Sequence, residues 1–131
     1  MSTRITLIKI RRAPAENINQ ELQWVGSSLG LFNLRDKDSS CFRLFITLVK
    51  RSRNNQPISS DDIAEKLNLT RGTVVHHLNK LMEAGIVLRE HNGYILRESN
   101  LEKLIQDLRR DLEIMLSELN AVAKNIDEKL G

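Results

Sequence analysis

The amino-acid sequence predicts a mainly α (α+β) fold. Two short helical patterns separated by a break occupy residues 59–84, and a pattern typical of a β-hairpin follows them. A much longer helical pattern fills the C-terminal end, and aromatic residues make up only 4% of the sequence. We therefore divide the chain into an N-terminal strand and helix at residues 1–34, a central unit at 35–97 and a C-terminal helix at 98–131.

The central unit begins with two helices joined by a tight turn. Ser59 precedes the first helix and has Asp62 three residues later, which is close to the capping box that starts many helices. After the break at residues 68–70, Thr70 is placed to cap the second helix. The apolar residues of the two helices recur at helical spacing and are expected to face inward: Ile63, Ala64 and Leu67, then Val74, Leu78, Leu81 and Met82.

Two glycines mark the end of the second helix and the turn that follows. Gly85 stands where a helix terminus favours the left-handed conformation. Asn92-Gly93 is flanked by strand-forming residues, and this dipeptide is typical of a two-residue hairpin turn. Residues 59–97 therefore predict a winged helix-turn-helix, with a recognition helix at 70–84 and a wing at 86–97.

The outer face of the second helix carries side chains that suit DNA. Arg71 can reach a guanine edge, Asn79 an adenine edge and Val75 a thymine methyl group. The hydroxyl and cationic side chains beside them suit phosphates. The candidate DNA-binding residues are Thr70, Arg71, Gly72, Thr73, Val75, His76, Asn79 and Lys80 on the helix, with Arg89 and Arg97 on the wing.

Residues 57–97 resemble the winged helix-turn-helix of ArsR- and MarR-type transcriptional regulators, and the style of the sequence resembles archaeal regulators of this group. The segments that carry the resemblance are Ile63-Ala64-Glu65-Lys66-Leu67, Thr70-Arg71-Gly72-Thr73-Val74, His77-Leu78, Leu81, Glu83-Ala84-Gly85-Ile86-Val87 and Tyr94. The resemblance implies binding of double-stranded DNA and regulation of transcription. ArsR-type metal sensors carry paired cysteines, whereas this chain has one, so metal sensing is not expected.

The N-terminal part is expected to hold a strand and a helix. Residues 4–12 alternate strand formers with basic residues, and Pro14 ends the run. Arg11-Arg12 is either a DNA-contacting arm or the charged rim of an edge strand, and we favour the edge strand. Residues 16–29 show helical spacing of apolar residues, although Gly26 weakens the pattern.

A firmer helix is predicted at residues 36–51, before the helix-turn-helix. Asp36 or Asp38 can cap it, and its inner face is expected to comprise Phe42, Phe45, Leu48 and Val49. Cys41 is the single cysteine, so no intramolecular disulfide is possible and a cytoplasmic location is expected. No apolar run is long enough to span a membrane.

The C-terminal helix is expected to begin with a capping box formed by Ser99 and Glu102. An apolar heptad seam follows, and its members are Leu101, Ile105, Leu108, Leu112, Met115, Leu119, Val122 and Ile126. Such a seam predicts homodimerisation through this helix, without distinguishing parallel from antiparallel pairing. Leu104, Leu116 and Ala123 widen the stripe, so packing against the chain's own domain is the alternative.

The charge distribution also favours DNA as the partner. Residues 98–131 carry five basic and eight acidic residues, whereas residues 1–97 carry fifteen basic and nine acidic ones. Basic charge therefore gathers on the part that contains the motif, as attraction to phosphates requires. No cluster of residues predicts catalysis, a metal site or a cofactor. The adjacent His76 and His77 point about 100° apart on a helix, so they cannot bind one metal ion together. The remaining alternative is a winged-helix adaptor that binds another protein in a heteromeric complex.

Overall fold

The computed structural model describes residues 2–12, 14, 16–31 and 39–131. Within them the chain forms five helices and one two-stranded antiparallel sheet, as a mainly α fold with a winged helix-turn-helix requires. The elements are α1 (Ile18–Ser28), α2 (Ser40–Ser52), α3 (Ser60–Leu67), α4 (Arg71–Glu83), β1 (Val87–Glu90), β2 (Gly93–Leu96) and α5 (Leu101–Leu130).

The core is built around one face of α2. Leu44, Phe45 and Leu48 are fully buried there, and α2 contacts α3, α4 and β2. Phe42 and Val49, which the sequence also placed inside, are only half-buried, so the core face is rotated toward Leu44. The other elements contribute Ile63, Val74, Leu78, Leu81, Ile86, Val87, Leu96, Leu104 and Leu108 to the same cluster.

Both helices of the helix-turn-helix begin at the predicted caps. The Ser59 side chain accepts a hydrogen bond from the Asp62 backbone N–H at 3.1 Å. The Thr70 hydroxyl accepts one from the Thr73 N–H at 3.2 Å, and the two threonine hydroxyl oxygens lie 2.8 Å apart. Between the helices, Asn68 adopts a left-handed conformation with φ of 55°, which turns the chain sharply.

The hairpin turn lies one residue earlier than the sequence predicted. Glu90 pairs with Gly93, so the two loop residues are His91 and Asn92, and His91 carries the positive φ of 52°. Gly93 belongs to β2 instead, where a Cβ atom would lie 3.0 Å from the backbone nitrogen of Ile58. Ile58 pairs with Tyr94 through two backbone hydrogen bonds, which brings this segment against the wing. The glycine is therefore needed for close packing of two backbones.

The N-terminal strand predicted at residues 4–12 does not form. This segment has no helix or strand, and the sheet of the described residues consists of β1 and β2 alone. Two backbone hydrogen bonds hold it instead, from the Arg4 N–H to the Glu83 carbonyl and from the Ile8 N–H to the Ser28 carbonyl, both at 2.8 Å. It thus connects the ends of α4 and α1.

Three helix starts differ from the predicted ones. Helix α1 begins at Ile18, two residues after the predicted start at residue 16. The Asn17 side chain caps it by accepting a hydrogen bond from the Gln20 N–H. Asp36 and Asp38 lie outside the described residues, and α2 begins after Ser39, whose φ is 50°. Helix α5 is capped by Asn100 and not by Ser99, because the Asn100 side chain accepts the Lys103 N–H at 2.9 Å.

Helix α5 divides into a proximal part that packs on the domain and a distal part that does not. Leu104 and Leu108 are buried in the core, and Leu101 packs against it. After Met115 every side chain is exposed, including Leu119 at 65%. The predicted seam is therefore split: Leu101 and Leu108 pack with the chain's own core and Leu112 and Met115 are half-buried, whereas Ile105, Leu119, Val122 and Ile126 are exposed.

Candidate nucleic-acid interface

The outer face of α4 brings the candidate DNA-binding residues of this helix together. Its inner stripe, Val74, Leu78 and Leu81, is fully buried. Burial of this stripe therefore determines which face of α4 points to solvent. Thr70, Arg71, Gly72, His76, Asn79 and Lys80 are exposed on it, and Thr73 and Val75 are half-buried along its sides.

The N-terminal end of α4 is arranged to meet an anion. The N–H groups of the first turn give this end a partial positive charge. Arg71 lies in the same turn, and its Nε is 3.5 Å from a carboxylate oxygen of Asp61 in α3. Both side chains are more than 70% exposed, so the pair is screened by water and contributes little to stability. Arg71 can therefore exchange this contact for a phosphate or a base edge.

Gly72, the second residue of α4, has open space beside it. A Cβ atom built there would meet no heavy atom within 4 Å. The packing of the chain therefore does not require a glycine at this position. Glycine is unfavourable inside helices, by about 1 kcal/mol relative to alanine. Its presence on the exposed face fits a surface that another molecule approaches closely.

The wing places one arginine at the surface. Arg89 lies in β1, whose residues after Val87 are exposed. Its guanidinium carbon is 5.9 Å from the centre of the Tyr94 ring, a cation–π distance. Tyr94 lies directly opposite Arg89 in the hairpin. The contact holds Arg89 on the hairpin while its charge stays accessible.

Arg97 does not belong to this surface, contrary to the prediction from the sequence. Its guanidinium donates to Asp111 at 2.6 Å and lies 3.4 Å from Asp107, both in α5. It also donates to the Gly85 carbonyl at 3.3 Å. The pKa of Arg97 is raised above its ordinary value, chiefly by the hydrogen bond to Asp111. Arg97 therefore joins the base of the wing to α5, and we remove it from the candidate DNA contacts.

The two adjacent histidines have different surroundings. His77 is half-buried, and its Nε2 lies 2.6 Å from the hydroxyl oxygen of Ser40 at the start of α2. His77 therefore takes part in the packing of α4 against α2. His76 is exposed on the outer face of α4. In the part of the chain that the structure describes, no group of three or more His, Cys, Asp or Glu side chains could hold a metal ion.

One neighbour of the recognition helix was missed by sequence reasoning. Arg4 and Thr6 line a shallow groove of about 290 Å³, and His76, Asn79 and Lys80 line it from α4. Arg4 is far from α4 in sequence, so no local pattern could reveal that they meet. Within the described ranges, no helix is long and apolar enough to cross a membrane.

The ion pairs of Arg97 lead to a prediction about stability. Replacing Arg97 with methionine should lower the free energy of unfolding by about 1–3 kcal/mol, because it leaves the buried Asp107 carboxylate with fewer partners. Arg89→Met, which removes an exposed wing arginine, should change it by less than about 0.5 kcal/mol. Denaturant unfolding of both variants measures the difference, and equal effects would contradict the role assigned to Arg97.

Comparison with known protein families agrees with this geometry. Residues 53–88 match the family model described as "Bacterial regulatory protein, arsR family". The matched range contains α3, the turn, α4 and the start of β1. It is a little over a quarter of the 131 residues. A search of curated proteins found no match to the chain. The fold and the family match together show that this part of the chain is an ArsR-like winged helix-turn-helix, a domain that supports DNA binding in the regulation of transcription.

Proposed function

We propose that this chain regulates transcription as a homodimer that binds a specific sequence of double-stranded DNA. The observation that carries the proposal is the outer face of α4, which is exposed, polar and basic on an ArsR-like helix-turn-helix. In this arrangement α4 enters the major groove and the wing lies along the sugar-phosphate backbone. A cytoplasmic location fits this role.

The side chains of α4 divide between reading bases and holding phosphates. Arg71 offers a pair of donors that matches the O6 and N7 atoms of guanine, and Asn79 can pair with adenine in the same way. The methyl groups of the half-buried Val75 can contact a thymine methyl group. The phosphate contacts come from Thr70, Thr73, His76 and Lys80 on α4 and from Arg89 on the wing, while Gly72 allows close approach.

The distal part of α5 supports the homodimer. Beyond Met115 about 15 residues extend from the domain, a rod of roughly 22 Å. Its apolar stripe is exposed, with Leu119 at 65% and Val122 at 57%. A helix with a continuous apolar stripe gains most of its stability by burying that stripe. A second copy of the same helix offers a matching heptad seam, so pairing of Ile105, Leu112, Met115, Leu119, Val122 and Ile126 with their equivalents would bury it.

Dimerisation and DNA reading reinforce each other. One recognition helix makes few base contacts, so a single domain binds weakly. A two-fold dimer presents two such helices to successive turns of the duplex, about 34 Å apart. Such a protein selects a site with two inverted halves, and both halves are bound at once.

The first experiment separates this proposal from an adaptor that binds another protein through the same helix. Light scattering gives the mass in solution, and titration of a random-sequence duplex at several salt concentrations gives the charge dependence of binding. A dimer whose affinity falls steeply with salt supports the regulator. A monomer that ignores DNA would contradict it and favour a heteromeric partner for α5.

Replacing Arg71 and Asn79 with alanine should abolish preference for the selected operator over random DNA. Each lost base contact removes about 1–3 kcal/mol of discrimination. The mass of the protein should not change, because neither side chain reaches α5. Binding curves on both duplexes measure the effect, and unchanged preference would disprove the assignment of α4 as the reading helix.

Gly72→Ala should have opposite effects on folding and binding. Alanine favours the helix by about 0.5–1 kcal/mol, and the added methyl group meets nothing in the chain. The free energy of unfolding should therefore rise slightly, while the affinity for DNA falls because the methyl group keeps the backbone away. A variant that is more stable and binds DNA as tightly as the original would show that Gly72 does not face the duplex.

Leu119→Glu should convert the dimer to a monomer and weaken DNA binding at least tenfold, because the two half-sites are then bound separately. The matched control is Ser117→Glu, which adds the same charge outside the apolar stripe of α5. Both positions are exposed, so neither variant should disturb the domain. Light scattering and operator titration measure the outcome. Dimers in both variants would place the interface elsewhere.

A further inference from the structure

The segment before α1 lies beside the recognition helix. We propose that this N-terminal segment, residues 4–12, is a second DNA-contacting element, which binds the phosphate backbone flanking the groove that α4 enters. The proposal rests on the proposed function, since it assigns a further part of the chain to the same duplex. It is argued from how the segment is held, from its charge and from its place next to α4.

The N-terminal segment is fastened to the domain along its length. Arg4 and Ile8 donate backbone hydrogen bonds to Glu83 and Ser28, and the Trp24 indole N–H donates to the Ile10 carbonyl at 3.2 Å. The half-buried Ile5 packs against the core. A basic segment held in this way presents its charges at fixed positions and loses little conformational entropy when it binds.

The shape of the connection after α1 accommodates the segment closely. Gly30 has a φ of +73°, and a Cβ atom there would lie only 2.7 Å from the Thr6 methyl carbon. A larger residue would therefore push the segment away from the domain. At the other end of the segment, the Arg12 guanidinium carbon lies 5.8 Å from the centre of the Trp24 ring. Both ends of the segment are thus positioned by specific contacts.

The charge of the segment is entirely positive. It contains Arg4, Lys9, Arg11 and Arg12 and no acidic residue. All four side chains are exposed, and none takes part in an ion pair within the described residues. Exposed cations without acidic partners suit a polyanion, because counterions released from the polyanion favour the complex.

The position of the segment favours DNA over an acidic protein. Arg4 and Thr6 line a groove to which α4 contributes His76, Asn79, Lys80 and the acidic Glu83. The major groove is about 12 Å wide, so a helix inside it has a phosphate backbone on either side. An element attached to the flank of α4 near its C-terminal end therefore lies over one of these backbones. Arg4 and Lys80 both line this groove, so the two side chains would bind that backbone together.

The test compares two double variants that each remove two positive charges. Arg4→Ala with Arg11→Ala changes the segment, and Arg53→Ala with Lys124→Ala changes exposed residues of other parts of the chain. Arg12 is left in place because it contacts Trp24. Binding to a random-sequence duplex is titrated over a range of salt concentrations. The slope of log affinity against log salt should decrease in magnitude by about 2 for each bound protomer of the segment variant, hence by about 4 for a bound dimer. It should be unchanged for the control.

The outcomes separate failure of the inference from failure of the proposed function. Equal slopes for both variants and the original chain would overturn the role of the N-terminal segment while leaving α4 as the DNA-binding element. Absence of salt-dependent binding by the original chain would overturn the proposed function itself. Light scattering of the segment variant provides a further check, because Leu7 and Ile8 are exposed. Loss of the dimer in that variant would show that the segment joins two copies of the chain, which also contradicts the inference.

A second measurement places the segment on the duplex directly. An iron chelate attached to Ser2→Cys should cleave the DNA backbone at positions flanking the bound site. The native Cys41 is only 2% exposed and should remain unlabelled. Cleavage confined to the flanks supports the inference. Uniform weak cleavage, equal to that from a chelate attached at Lys124→Cys, would contradict it.

Discussion

The packing of α2 against the helix-turn-helix is the interaction on which the rest of the structure depends. Leu44, Phe45 and Leu48 are withdrawn from water, and each such side chain contributes about 1.5–3 kcal/mol when fully buried. Because α2 contacts α3, α4 and β2, its position sets the rotation of α4 about its own axis. That rotation decides which side chains of α4 are exposed to solvent.

Two polar connections complete the framework around this core. The hydrogen bond between His77 and Ser40 ties the middle of α4 to the start of α2. Arg97 ties the end of the wing to Asp107 and Asp111 of α5. Arg97 therefore connects the end of the wing directly to α5.

Helix α5 serves the domain and the proposed assembly with different parts of one apolar pattern. Leu104 and Leu108 complete the core, whereas the side chains after Met115 touch no part of the domain. The continuous heptad pattern thus describes the helix correctly, yet it does not reveal where intramolecular packing ends. That boundary depends on the size of the domain, because the domain covers only the first turns of a helix of 30 residues.

Short-range chemistry in the sequence by itself determined most of the secondary structure and the reading face. The caps at Ser59 and Thr70, the left-handed terminus at Gly85 and the spacing of Val74, Leu78 and Leu81 depend on neighbours within a few residues, so their patterns predict them. Where two neighbouring residues are nearly equivalent as cap or turn residues, the observed boundary differs from the predicted one by one residue. The cap of α5 is Asn100 instead of Ser99, and the hairpin turn is His91-Asn92 instead of Asn92-Gly93.

Only the tertiary structure decided the features that depend on distant residues. The strand-like pattern of residues 4–12 formed no strand: a strand needs a partner strand, and the backbone of this segment bonds to the ends of α4 and α1 instead. Arg97 points to α5 because the folded chain places a carboxylate oxygen of Asp111 2.6 Å from its guanidinium. The packing of Arg4 beside α4 also depends on the tertiary structure, because Arg4 and α4 are far apart in sequence. Local sequence patterns do not predict such contacts, because the contacts form only when the core brings distant segments of the chain together.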